Sequence, residues 1–366
     1  MIASIQNPCV NRAPRSAQYA PRSAFTLIEL LVSITIIGIL SSIALAALSR
    51  ARQSANVVNT KSTIARLHSQ IQSKWDSYRI RKVPIDPNLV LSTMATVPGS
   101  YPYVSTWLAN WNLGAANPLS NRQVAAVRLL AIRELQRFEM PSSFDDFAVV
   151  TGSGGAPYVM RTPNVLASPP SMAYTYLRKL NASSAASVGQ LQANEGAECL
   201  YMVVTSGLED VSFGGELSVP KSVGDADGDG LPEFQDAWTL GLQQFPASGP
   251  QRQPISWIRW PAGFRNSVLT GITVSDLDAD PTQPSPLQFS VADHDYFDPL
   301  KVDVPTAAFP RGYGMMPLVF SAGPDGVAGL TTAASPPPVT DPYDLTSGAP
   351  TTGWEDNIHN HLIEAR

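Results

Sequence analysis

The stretch DADGDGLPEFQD, residues 225–236, sets carboxylates at alternate positions around two glycines. Asp225, Asp227 and Asp229 fall at the first, third and fifth positions of a calcium-loop spacing. Gly230 supplies the sharp turn at the sixth, Leu231 offers a backbone carbonyl, Glu233 stands at the ninth and Asp236 at the twelfth. Oxygens alternating along a tight turn suit a hard cation that takes several oxygens at about 2.3–2.6 Å. Asp236 is shorter than the bidentate glutamate usual at the last position, and Pro232 bends the exit. No helix is expected before the loop, so this is a calcium loop outside a two-helix setting. The competing reading is a solvated Asp-Gly turn.

Other clusters are weaker. DLDADP, with Asp276, Asp278 and Asp280, lacks the turn glycine and reads as a solvated loop. DHDYFDP places His294 between Asp293 and Asp295, where a lone imidazole gives no zinc set. The sequence contains no G-x-S-x-G elbow, H-E-x-x-H helix, phosphate-binding loop or Cys/His set. Of the four histidines, His68 lies on a helical stripe and reads as a core or boundary residue, while His359 and His361 alternate near the end and read as surface features. The expectation is therefore a protein that is not an enzyme.

Bulk composition sets the frame for these residues. The chain has 366 residues, 44% of them hydrophobic, enough for a real core in one or two folded units. Charged residues are 15% and the net charge is −5, so no nucleic-acid partner is expected. The 32 prolines and 25 glycines favour short strands and turn-rich loops. Of the two cysteines, Cys9 lies in a segment expected to be removed, and Cys199 reads as a core filler rather than half of a disulfide.

A second carboxylate with a chemical question attached is Glu29. It sits at the front of FTLIELLVSITIIGIL, and Leu30 to Leu48 then runs without a charge, long enough to cross a hydrocarbon core of about 30 Å. A charge at bilayer depth is costly. The segment before it, Met1 to Ala24, holds Arg12, Arg15 and Arg22 and no acid. A secretory signal would have a shorter apolar region with its cut after it. An ordinary anchor would not place an acid at this point. The small residues of LSSIALAALSRA keep the secretory reading open, and a third reading cuts before Phe25 and leaves the apolar helix on the mature protein.

RSAFTLIELLVSITIIGILSSIALAAL resembles the N-terminus of type IV pilins and type II secretion pseudopilins. The resemblance implies that a prepilin peptidase cuts between Ala24 and Phe25 and methylates the new Phe25 amine. Ala24 stands where the family more usually has glycine, and Ala46 where many relatives have proline. It also implies that Glu29 of one subunit pairs with the Phe25 amine of another as subunits stack. Leaving one partner of a buried ion pair unmatched is heavily penalised, which makes the acid a register device. The bland alternative is a side chain that snorkels to the interface.

The resemblance extends loosely into the last third. DAWTLGLQ…PISWIRW, with Asp236, Trp238 and Pro254, is similar to the Asp-x-Trp-Gly-x-Pro stretch of major pseudopilins, with Thr239 in place of glycine. SAGPDG (Ser321, Gly323, Asp325, Gly326) and WEDNI (Glu355, Asp356, Ile358) resemble the two sides of the family's C-terminal calcium loop. Asp325 and Asp356 then either form a second calcium site, or Asp325 caps a turn.

The elements that must position these groups follow from pattern. Ile64, Leu67, His68, Ile71, Trp75 and Tyr78 form a helical stripe, and Pro84 and Pro87 stop that helix. Residues 83–116 show no clear period. Asn121 to Met140 reads as a helix capped by Asn121 and stopped by Pro141. GSGGAP is a hinge loop, SMAYTYLRKL a short helix, and AECLYMVVTSG a buried strand or a helix end running into one. Short strands between Gly, Pro and Asp turns follow Val211, and Thr331 to Pro350 is a surface tether.

The resulting expectation is an α+β, pilin-like chain: leader 1–24, long helix 25–82 with its membrane span over about 28–48, and head 83–366. The head divides into a family-extra helical and loop region, 83–210, and a β-rich calcium-loop region, 211–366, and is dominated by antiparallel strands. The implied role is a structural subunit of a secretion pseudopilus or pilus-like filament, its head stabilised by calcium. Its implied partners are other subunits, the prepilin peptidase and an inner-membrane assembly platform. The implied location is the inner membrane, with a periplasmic head. The rival from another class is a membrane-anchored adhesin whose exposed Trp107 and Trp111 bind a surface ligand.

Overall fold

The computed structural model describes residues 26–113, 120–150, 158–184, 188–206, 222–239, 252–259, 297–300, 302, 317–328 and 357–360. The chain divides into two units, Met1–Arg52 and Gln53–Arg366. One helix, α1 (Leu27–Ser77), contributes to both. The fold is α+β, with this long N-terminal apolar helix and antiparallel sheets in the head.

In the first unit the described side chains are exposed, including Leu27, Ile28, Leu30, Ile37 and Leu45. The run is long and apolar enough to cross a membrane. Its hydroxyls turn back onto the helix. Ser33 donates to the carbonyl of Glu29 at 2.7 Å, Thr35 to Leu31 at 2.8 Å, Ser42 to Ile39 at 2.7 Å and Ser49 to Ala46 at 2.9 Å. In a medium without water, that folding-back gives these four hydroxyls an acceptor within their own helix.

In the second unit α1 becomes one-sided. Thr60, Ile64, Leu67, His68, Ile71 and Trp75 are buried at helical spacing, as the stripe predicts. Trp75 is fully buried and meets the Phe297 ring edge-on at 5.4 Å between centroids. His68 is buried, and its Nδ1 lies 2.8 Å from the Asn360 amide nitrogen. The helix ends at Ser77, before the two prolines expected to stop it.

Residues 83–113 hold two helices where no period was readable, α2 (Pro87–Thr96) and α3 (Pro102–Asn110). Both start with proline at the first turn, where its missing N–H costs nothing. Asp86 caps α2 by accepting the Asn88 N–H at 3.0 Å. Trp107 and Trp111 are buried against each other, 5.5 Å between centroids, not exposed as expected.

The central helix α4 (Asn121–Glu139) is capped by Ser120, not Asn121, through a reciprocal box with Gln123. It is buried nearly all round, and its acids are matched. Glu134 accepts the backbone N–H groups of Asn164, Val165 (2.8 Å) and Leu166 (2.7 Å). Glu139 accepts from Tyr78 Oη at 2.7 Å and pairs with Arg81. A 3-10 turn, Phe144–Asp146, follows, and Asp146 takes a two-point pair from Arg259 at 2.7 and 2.9 Å.

Strands β1 (Ala148–Val150) and β2 (Tyr158–Met160) form an antiparallel pair. Helices α5 (Ser171–Asn181), α6 (Val188–Ala193) and α7 (Glu195–Ser206) come next. The segment expected to be or become a strand is thus helical through Ser206. Its Val203 and Val204 pack on neighbouring elements, which overrides their strand preference. Cys199 is a fully buried, free core residue on α7, as expected.

Two three-stranded antiparallel sheets complete the head. One is β3 (Val223–Gly224), β4 (Glu233–Thr239) and β5 (Arg252–Pro254); the other is β6 (Ser256–Ile258), β7 (Leu318–Ser321) and β8 (Ile358–His359). Helix α7 packs on β4 and β6. The described head is thus helical with short strands, not dominated by strands. His359 lies buried on β8, not on the surface. The GSGGAP loop and the Thr331 to Pro350 tether lie outside the described residues.

Trp75→Ala should destabilise the head by about 3–5 kcal/mol, the range for emptying a buried aromatic site. Denaturant unfolding of the purified chain measures it.

Candidate functional site

Two features carry chemistry: the acid at the start of α1 and the carboxylates around the turn between β3 and β4.

Thr26 and Glu29 close on each other. The Thr26 N–H and hydroxyl both donate to Glu29 Oε2 at 2.9 Å, and the Glu29 N–H donates to Thr26 Oγ1 at 3.3 Å. This is a capping box, with Thr26 before the first helical residue and Glu29 three positions on. The T-x-x-E spacing was readable as such, but the sequence reading did not use it. In a single subunit the acid is therefore hydrogen-bonded at the helix start. Ala24 and Phe25 lie outside the described residues.

The loop from Asp225 to Pro232 joins β3 to β4 of an antiparallel pair. Gly228 and Gly230 take left-handed conformations, φ +77° and +89°, which the tight turn requires of glycine. Asp225 accepts the N–H groups of Gly228 (2.6 Å), Asp229 (3.1 Å) and Gly230 (2.9 Å). Glu233 accepts the Ala226 N–H with both oxygens, at 3.1 and 3.0 Å. The rest of the head grips the loop from outside. Ser184 donates its N–H and hydroxyl to the Asp229 carbonyl at 2.6 and 2.8 Å. Gln190 reaches the Asp227 carbonyl at 3.0 Å, and Asn194 the Asp227 Oδ2 at 3.2 Å.

The structure brings together two sets of carboxylates, each with one oxygen per residue within 4.8 Å of the others. One is Asp225, Asp227 and Glu233; the other is Glu198, Asp227 and Asp229. Glu198, from α7, is the residue that sequence reasoning missed. Its signal was an acid within the otherwise apolar run AECLYMVV, which is unusual unless the acid has a purpose.

Leu231, expected to offer its backbone carbonyl, buries its side chain and donates its N–H to Asp229 Oδ1 at 2.7 Å. Asp236 belongs to neither carboxylate set. It accepts the Ser321 hydroxyl at 2.6 Å and the Trp238 N–H at 2.9 Å, which ties β4 to β7. The physical reason is the strand: β4 starts at Glu233, so position twelve is carried away from the turn, where a helical exit would bring it back. Asp325 caps a turn by accepting the Val327 N–H at 2.8 Å. Asp356, Glu355, His361, the DLDADP tract, Asp293, His294 and Asp295 lie outside the described residues.

The electrostatics of the cluster are one-sided. Burial pushes the Glu198 carboxyl up to about 10, and Asp229, Asp227, Glu233 and Glu195 all push the same way. Burial raises Glu233 to about 8, against the Ala226 N–H and with its acidic neighbours. Asp229 rises to about 6 by burial, opposed by the Leu231 N–H. Crowded buried acids of this kind either hold protons or bind a cation.

Among known families, a model described as a prokaryotic N-terminal methylation motif matches residues 20–45. The chain carries the type IV pilin and pseudopilin signal. Such a signal implies prepilin peptidase processing and assembly with other pilin subunits, and with α1 it fits single-pass membrane anchoring. No curated protein and no solved structure matched the chain.

The raised carboxyls fix the sign of a pH effect. Between the ordinary glutamate value of 4.5 and the folded values of about 8 and 10, the folded cluster keeps protons that the unfolded chain releases. Stability of the cation-free head should therefore fall as pH rises through that window. Thermal unfolding under chelation should show a lower midpoint at pH 8 than at pH 5, with a shallower slope for Glu198→Gln.

Proposed function

We propose that the protein is a structural subunit of a type II secretion pseudopilus or type IV pilus-like filament, and not an enzyme. Its α1 start lies in the inner membrane and its head in the periplasm before an assembly platform extracts it. The observation that carries this reading is the methylation motif over residues 20–45 joined to a helix of 51 residues with one acid in its first turn. Cleavage after Ala24 frees the Phe25 amine, a cation that Glu29 of a neighbouring subunit meets on stacking. The capping box holds that carboxylate at the helix start. Calcium holds the β3–β4 loop in the shape that neighbours dock against. The burial of Trp107 and Trp111 removes the observation that favoured an adhesin.

Glu29→Ala and Glu29→Gln separate two roles, since glutamine at this position still caps. Both variants should reach the membrane with methylated Phe25, read by mass spectrometry, and both should fail to enter filaments. Normal incorporation of Glu29→Gln would reduce the acid to a helix cap. For the loop, Asp225→Ala with Asp227→Ala should abolish the rise in melting temperature that calcium gives the wild type. Equal melting with and without calcium in both would leave an ordinary turn.

A further inference from the structure

Loop amides satisfy only part of the acidic cluster. Three N–H groups go to Asp225 and one to Glu233, while the Leu231 N–H takes Asp229 Oδ1. What remains is Asp229 Oδ2 and both oxygens of Glu198, buried and without a hydrogen-bond partner among the described residues. Glu198 is 1% exposed and Asp229 0%. They are not scattered, because one oxygen each of Glu198, Asp227 and Asp229 lie within 4.8 Å of one another. Two oxygens on opposite sides of a calcium ion, each at about 2.3–2.6 Å, stand at most about 4.6–5.2 Å apart. The spacing therefore suits a shared hard cation. Leaving three such oxygens dry and unmatched is among the costliest arrangements a core can hold.

We propose that Glu198 of α7 is a calcium ligand from outside the loop, closing a site with Asp227 and Asp229 and standing in for the twelfth-position acid. The inference rests on the calcium reading of the loop and adds its missing ligand. Asp236 is committed to Ser321 on β7, so the loop lacks the carboxylate that ordinarily completes such a site. Glu198 supplies it from a helix about thirty residues earlier in the chain. The ion then joins two elements that the loop alone would not join: α7, which packs on β4 and β6, and the β3–β4 turn. Calcium becomes a clasp across the head instead of a local staple.

The test uses the full chain in detergent, stripped with chelator and titrated with calcium by calorimetry. Glu198→Gln should raise the Kd about tenfold or more, because affinity follows the number of charged ligands. Unchanged Kd in Glu198→Gln, with binding lost in Asp227→Asn, would overturn the clasp and leave a loop-only site. No binding by the wild type would overturn the calcium reading as well, while the filament reading stands on its own Glu29 test. Magnesium bound as tightly as calcium would overturn the choice of ion. Hydrogen exchange of the wild type needs no variant to fold: calcium should slow exchange across Glu195–Ser206 as well as in the loop. Calcium binding that leaves α7 exchange unchanged would overturn the clasp.

Discussion

A carboxylate removed from water must find a donor or a cation, and this chain meets that constraint in four different ways. Glu134 is solved with backbone, three N–H groups from the segment 164–166 converging on one side chain. Glu139 is solved with a tyrosine hydroxyl and a guanidinium, which ties the end of α4 to the residues just past α1. Asp146 takes a planar two-point pair from Arg259 with Arg137 also in contact, and so links the turn after α4 to the residue after β6. Glu29 is solved locally, by the threonine three residues before it. The three solutions in the head each fix the position of one element against another, so its buried acids trace much of its wiring.

The first-turn acid of α1 carries two demands that agree. A helix start inside an apolar medium has unpaired N–H groups, and an acid at the third position satisfies one of them and favours the helix dipole. The same acid is what the pilin-type reading needs near a freed amine. A side chain held in a capping box is pre-organised, so a neighbouring cation would meet it without first ordering a flexible group. The hydroxyls of Ser33, Thr35, Ser42 and Ser49 follow the same logic further along, each spent on a carbonyl of its own helix.

What the sequence made legible was what is periodic or spaced by rule. The stripe from Ile64 to Trp75, the α4 helix and the glycine at the sixth loop position all appear where pattern puts them. Helices α2 and α3 were hidden because each is short and is announced by a proline and little else. Helix α7 was misread because its valines prefer strands, and only its packing against β4 and β6 decides the matter. The calcium-loop spacing located the cluster, but Asp236 at position twelve falls outside both carboxylate sets, because the chain after the turn is extended. No spacing rule could supply Glu198, since its partnership with the loop is a tertiary fact.

The contrast between Glu198 and the other buried acids bears on what the cluster is for. This head neutralises Glu134, Glu139 and Asp146 with its own groups, so its sequence is evidently able to place donors beside buried carboxylates. At Glu198 and Asp229 it places further carboxylates. A cluster that proton uptake alone relieved would grow weaker as pH rises. A cation rewards the close spacing of the cluster's oxygens directly, because each oxygen brought into range adds to the same ion's binding. The geometry that is worst for an empty cluster is thus the geometry best for an occupied one. With the proposed cation the head would have two electrostatic states, and the difference between them would fall on the contact of α7 with the β3–β4 turn.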